Sequence, residues 1–388
     1  MAVVQSLEMI FVENRYADKV IEKVLKQDPR WGSRDRKFIA ETTYDIVRWY
    51  RWIRELTEAR GNDFWRMLGG WCVLNGYDLP AWDEFKGIDK RKIQERGTYA
   101  YTRKIRESIP DWMDELGEAE LGAKWDDEIH ALNEEAEVVL RVNTLKISKR
   151  ELHERMEEDE IATTPLIEYP EALVLEERQN IFGSPMFKEG LFEVQDAGSQ
   201  AIAPFLRPEP GMRVIDACAG AGGKTLHLAA LMKNKGRIIA MDVEQWKLDE
   251  LQKRARRAGA GNIETRLIES SKTIKRLEGN ADRLLLDVPC SGLGVLKRNP
   301  DAKWKLSTDF IARVHELQQN ILRDYCDMLK PGGLMVYSTC SILPSENEQQ
   351  VKSFLEFKQG KFELMEEKRA LPSEGFDGFY MALLKRTS

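Results

Sequence analysis

Hydrophobic positions along this chain follow two rhythms. From Leu7 to about Ile129 apolar residues recur mostly every three or four positions between charged ones, as in Ile39, Thr43, Ile46, Val47, Tyr50 and Ile53. That spacing predicts a bundle of helices, punctuated at Asn75-Gly76 and Pro80. Between 131 and 195 the pattern shortens. Residues 138–142 read as a strand, 148–156 as a capped helix, and 173–175 and 191–194 as further strands, together a small α+β module. After Leu206-Arg207-Pro208-Glu209-Pro210-Gly211 the chain alternates strand and helix to its end. Strands are expected over 213–216, 237–242, 283–287 and 334–338, and helices near 223–233, 245–258 and 308–329, the last stopped by Lys330-Pro331-Gly332-Gly333. This alternation predicts an α/β fold with a Rossmann-like doubly wound parallel sheet and helices on both faces. The expected domains are a helical 1–130, an α+β module over 131–195 and a sheet domain over 196–388.

Composition narrows the class. A chain of 388 residues, 42% of them apolar, can bury two or three cores without staples. Glu8 and Glu13 fall where a secretory leader needs an apolar run, and no stretch approaches the roughly 18 apolar residues of a membrane span. A cytoplasmic protein without membrane attachment is expected. The five cysteines form no CxxC pair and the four histidines are scattered, so neither a disulfide framework nor a metal site is expected. The net charge of −6 argues against a basic coat, yet residues 15–60 hold 12 Lys/Arg against 8 Asp/Glu, interleaved with Trp31, Tyr44, Trp49, Tyr50 and Trp52. Such a stretch is either a solvated helical surface over an aromatic core or a face that contacts phosphates.

Candidate chemistry lies in the alternating region. The turn Asp216-Ala217-Cys218-Ala219-Gly220-Ala221-Gly222-Gly223-Lys224-Thr225 follows the first strand, where a doubly wound sheet binds nucleotide-type ligands. Asp242 ends the next strand, 22 residues after Gly220, where a carboxylate can accept hydrogen bonds from ribose hydroxyls. For Gly222 and Gly223 the alternative is tight packing of a turn on a helix. A phosphate loop would need glycine at the position of Cys218. Lys224 would sit in a first helical turn, where a cation is slightly unfavourable and calls for a partner.

Two cysteines follow two other strands, Cys290 in Asp287-Val288-Pro289-Cys290-Ser291-Gly292 and Cys340 in Tyr337-Ser338-Thr339-Cys340-Ser341. Cys72 and Cys326 sit among apolar residues and read as core, and Cys218 reads as a backbone contact in the turn. A thiolate suits attack on an electron-poor conjugated carbon such as carbon 6 of a pyrimidine, after which carbon 5 can accept an electrophilic methyl. Asp287 is placed to hydrogen-bond the base edge; its alternative is a carboxylate capping a turn.

These residues resemble the Sun (RsmB-like) family of S-adenosylmethionine-dependent RNA cytosine-5 methyltransferases. The likeness spans roughly 138–385 and includes Leu140-Arg141-Val142-Asn143-Thr144-Leu145-Lys146, Val194-Gln195-Asp196, the glycine turn, both cysteine segments, Asn299-Pro300-Asp301, Glu346-Asn347-Glu348 and Asp377-Gly378-Phe379-Tyr380. The resemblance implies that Cys340 is the nucleophile, and that Cys290 assists release once carbon 5 loses its proton. It further implies that Cys218, Ala219, Gly220, Ala221, Gly222, Gly223, Lys224, Asp242 and Asp287 contact S-adenosylmethionine or the base. Glu269 is the nearest match to the family's adenine-side acid. Ala219-Gly220-Ala221 replaces the family's Ala-Ala-Pro, which predicts a more flexible turn.

The implied partner is RNA, ribosomal RNA first and transfer RNA as the alternative. The helical region is compatible with a NusB-like RNA-binding domain, and Lys297-Arg298-Asn299 would hold an opened strand. Two rivals stay open. A nucleotide-dependent oxidoreductase shares the glycine turn and Asp242 but has no use for a second thiol. A ribosome-assembly factor that binds RNA without catalysis needs neither thiol.

Overall fold

The computed structural model describes all residues, Met1–Ser388. They form two compact units, one of Met1–Glu134 with Leu296–Thr308, the other of Glu135–Val295 with Asp309–Ser388.

The first unit is helical. Ile39, Thr43, Ile46 and Val47 line the buried face of helix Ser33–Arg48, and Ile53 continues the stripe in helix Tyr50–Thr57 after a break at Trp49. Trp31, Tyr44, Trp49 and Tyr50 pack on the same apolar core, and Trp52 on a neighbouring cluster, so the aromatics of the basic stretch serve packing. Residues 296–308 group with these helices, which the strand-and-helix rhythm around them did not announce. The ammonium of Lys303 is fully buried, bonded to Asn133 Oδ1 and to the carbonyls of Arg48 (3.3 Å), Glu107 and Ser108 (both 3.4 Å). Burial drives its pKa well below that of a free lysine. Lys297 corrects an expectation. It is only 4% exposed and pairs with Glu134 at 3.4 Å, so its ammonium is committed inside the helical unit rather than offered to an RNA strand.

The second unit holds eleven strands in two sheets. In chain order they are β1 Val139–Val142, β2 Thr163–Pro165, β3 Ala172–Leu175, β4 Phe192–Val194, β5 Arg213–Asp216, β6 Arg237–Asp242, β7 Ile263–Leu267, β8 Ala281–Asp287, β9 Leu329–Thr339, β10 Phe362–Ala370 and β11 Phe379–Arg386. The first four make an antiparallel sheet in the order β2-β3-β1-β4, covered by helix Lys149–Glu158. Ser148 and Glu151 close that helix with a reciprocal capping box.

The large sheet runs β10-β11-β9-β8-β5-β6-β7. Its five strands from β9 to β7 pair in parallel, as the alternation predicts. Strand β11 departs from that expectation, lying antiparallel between β9 and β10. The link from β10 to β11, residues 371–378, is too short for the dozen or so residues of a parallel crossover, so the pair closes as a hairpin. Alternate residues face opposite cores: Leu284 and Leu286 enter one with Ile239 and Tyr337, Leu285 the other with Val214 and Val336. Both faces are covered, which is why β8 reads as an uninterrupted apolar run.

Candidate active site

Parallel pairing sets the site. Asp287, the last residue of β8, lies in register with Ser338 of β9, so the loops that follow leave the same edge side by side. Cys290 and Cys340 therefore meet, both half-buried, with their sulfurs 3.2 Å apart and unlinked. Gly294 keeps these loops close. Its N–H donates to the Cys340 carbonyl (2.9 Å) and its carbonyl accepts from Gly378 N–H (2.7 Å). A Cβ on Gly294 would lie 2.2 Å from the Gly378 oxygen, so no larger residue fits.

Beside the thiols Lys224 Nζ donates to Asp287 Oδ2 at 2.6 Å, and Ser338 Oγ donates to Asp287 Oδ1 at 2.8 Å. Lys224 also lies 5.5 Å from the centre of the Phe379 ring. Burial opposes its charge, but attraction and hydrogen bonding to Asp287 outweigh it and raise its pKa, with a further contribution from Cys340. The partner that its unfavourable helical position calls for is Asp287.

A cavity of about 300 Å³ opens at this edge, lined by Gln195, Asp216, Cys218, Ala219, Gly220, Ala221, Gly223, Lys224, Arg254 and Asp287, among others. Gly220 N–H donates to Asp242 Oδ2 (2.9 Å), tying the turn to the end of β6. Gly220 adopts φ +54° and Gly222 φ +88°, where a side chain is strained. Gly222 opens helix Gly223–Leu231, and a Cβ there would lie 2.5 Å from Leu251, so its role is close packing of turn on helix. Asp216 lies at the cavity floor, 1% exposed, with one oxygen held by Thr225 Oγ1 (2.7 Å) and Oδ1 without a partner. Burial pushes its pKa up to about 7. Burial, with Asp216, Asp287 and Asp242 nearby, holds the Cys218 thiol well above the usual range, a poor setting for a nucleophile. Glu269 is exposed in the loop after β7, where Ile268 N–H donates to the Asp242 carbonyl (2.9 Å). It does not line the cavity. Cys72 and Cys326 are core residues in different cores, and burial pushes the latter up to about 12.

Other residues complete the site. Fully buried Arg141 on β1 donates to the Gly223 carbonyl (2.5 Å) and to Gln195, and burial lowers its pKa to about 10. Arg254 donates to the Ala221 carbonyl (2.8 Å) and pairs with buried Glu193 (2.9 Å). Asn143 bonds the carbonyls of Gly190 (2.7 Å) and Ala258 (2.8 Å). The small sheet thereby grips both the glycine turn and the end of helix Gln245–Ala258. The 140–146 segment was noticed as a motif, but its spacing carries no sign of these long-range partners.

Comparison with known proteins agrees with this geometry. Residues 203–385 match the family model described as 16S rRNA methyltransferase RsmB/F, and residues 109–182 match the RsmF/B-like ferredoxin-like domain. The chain is 34% identical over 382 residues to the "Probable ribosomal RNA small subunit methyltransferase B" of Synechocystis, covering 88% of this chain and 85% of that one. It is 35% identical to the Vibrio cholerae ribosomal RNA small subunit methyltransferase B over 286 residues, 71% of this chain and 65% of that one. The crystal structure of PH0851 superposes with a TM-score of 0.83 at 26% identity, covering 99% of this chain and 98% of the other. With its sheet order, glycine turn and paired thiols, the chain belongs to the RsmB/F methyltransferase family.

Proposed function

We propose that this protein methylates carbon 5 of a cytosine in ribosomal RNA, using S-adenosylmethionine and a covalent bond between Cys340 and carbon 6 of the base. The observation that carries this reading is the 3.2 Å approach of two half-buried thiols beside the Lys224–Asp287 pair. An oxidoreductase needs no such pair, and family membership speaks for methyl transfer.

The residues present fit the cofactor. The partnerless Asp216 Oδ1 in the cavity, the open backbone of 218–223 and Asp242 bonded to Gly220 form a polar cradle for an aminoacyl-nucleoside. Glu269 is the candidate for its adenine end. When bound, S-adenosylmethionine supplies an electrophilic methyl group.

The protein does the rest. Cys340, as the thiolate, forms a bond to carbon 6, and the displaced electron pair makes carbon 5 the methyl acceptor. Lys224 and Asp287 supply a donor and an acceptor for the base edge. Once the carbon 5 proton has passed to solvent water, the double bond re-forms and Cys340 leaves as thiolate, a release that the Cys290 thiol assists by donating a hydrogen bond to the departing sulfur. The target base must leave its stack to reach Cys340, and the helical unit is the proposed RNA-holding part.

The test is transfer of labelled methyl to transcribed small-subunit ribosomal RNA, followed by bisulfite sequencing. A protected cytosine is the expected result. Transfer confined to transfer RNA would reassign the substrate, and no transfer to either would reject the reading.

A further inference from the structure

Ser291 and Ser341, the residues directly after the two cysteines, share one acceptor. Glu346 lies in the short turn Pro344–Glu346 beyond β9 and is fully buried. One of its oxygens accepts from Ser341 Oγ (2.7 Å) and from Ser291 Oγ. The other accepts from Ser291 N–H (2.7 Å) and Gln318 Nε2 (3.1 Å). Gln318 also donates to the Pro289 carbonyl (3.0 Å), so it holds the Cys290 loop from the far side. Tyr337 Oη fixes the Glu346 carbonyl (2.6 Å), and Asn347 Nδ2 donates to the Ser341 carbonyl (3.0 Å). No lysine or arginine pairs with this carboxylate. A buried charge held by hydrogen bonds alone is costly to keep where stability is the only gain.

We infer that Glu346 is a positioning residue for methyl transfer: its carboxylate joins the Cys290 and Cys340 loops and holds the two sulfurs in contact. The inference rests on the covalent reading above. The carboxylate bonds the Cys290 loop through backbone as well as hydroxyl, and reaches the Cys340 loop through one hydroxyl only. The Cys290 sulfur is half-buried and lies 3.2 Å from the Cys340 sulfur. The hydrogen bond to Cys340 raises the Cys290 thiol well above its usual range, with burial and then the charges of Cys340 and Glu346 adding to it.

Glu346→Gln separates charge from shape. The amide oxygen can serve Ser291 N–H and Gln318, while its NH₂ faces two hydroxyls that can turn to accept. The expected result is kcat lowered about tenfold or more. The Kd for S-adenosylmethionine and the KM for ribosomal RNA should stay within about twofold. Alkylation of Cys290 by iodoacetamide, followed by peptide mass spectrometry, should begin at lower pH than in wild type. Wild-type kcat together with an unshifted alkylation profile overturns the inference. If E346Q does not fold, Ser341→Ala, which keeps the carboxylate, takes its place, and wild-type kcat there overturns it equally. Cys340→Ala, assayed alongside, scores the covalent reading separately: turnover in that variant rejects the reading itself.

Discussion

The glycine turn and the thiol pair stand at one edge of the same sheet but are built on different principles. At the first, backbone forms the site: Gly220 and Gly222 take positive φ, and side chains from outside, Arg141 and Arg254, hold the turn by its carbonyls. At the second, side chains form the site, and a single buried carboxylate fastens two loops that strand pairing has brought together. A backbone cradle tolerates sequence change, which explains how Ala219-Gly220-Ala221 can stand where the family has Ala-Ala-Pro. A pair of reactive sulfurs does not. Changes at the thiol pair should therefore lower kcat and leave cofactor affinity alone, and changes at the glycine turn should do the reverse.

The largest effect is expected for Cys340→Ala, a loss of turnover of roughly a thousandfold or more with cofactor affinity unchanged. Single-turnover methyl transfer and calorimetric titration measure the two. Next, Cys290→Ala should slow turnover at least about tenfold while leaving a protein–RNA band stable on denaturing gels. A variant that turns over normally without that band removes Cys290 from the release step. At the glycine turn, Arg254→Ala should weaken S-adenosylmethionine binding roughly tenfold, about 1.4 kcal/mol, by freeing the Ala221 carbonyl. Unchanged affinity there would show that the turn needs no outside support.

The smallest effect on catalysis comes from Asp216, whose consequence is a pH dependence of stability. Asp216 has a folded pKa of about 7 against 3.8 for a free side chain, so the folded protein holds a proton that the unfolded chain releases between those values. Stability from this group is present at low pH and is lost as pH rises through that window, on the order of 4 kcal/mol. Asp216→Asn should flatten the loss and raise the melting temperature by several degrees at pH 8 but not at pH 4. Parallel melting curves of the two proteins would contradict it.

The same contrast explains what could be read from sequence. Strands 213–216 and 237–242, helix 245–258, the glycine turn and both thiols carry local signals of period, punctuation or composition, and the structure has them in place. The sequence pattern shows no strand at β2, β7, β10 or β11. β7 is half-buried along its length and β10 mostly exposed, so neither shows a clean apolar alternation. β11 is apolar enough, but its reversed direction follows from a short connection rather than from its residues. Arg141, Arg254 and Gln318 carry no local sign of a site role because their partners lie between 28 and 82 positions away, and Glu346, though it bonds Ser341 nearby, takes its place in the site through Ser291, 55 positions back. Lys297 misled for the opposite reason: a basic tripeptide looks exposed until a distant glutamate is found beside it.

The central claim is that Cys340, and not Cys290, bonds the base. Ribosomal RNA transcribed with 5-fluorocytidine blocks loss of the carbon 5 substituent, so the adduct stays on the protein. After incubation with S-adenosylmethionine and digestion, mass spectrometry should find a methylated fluorocytidine nucleotide on the peptide that contains Cys340. The same mass on the Cys290 peptide, or on neither, would contradict the account.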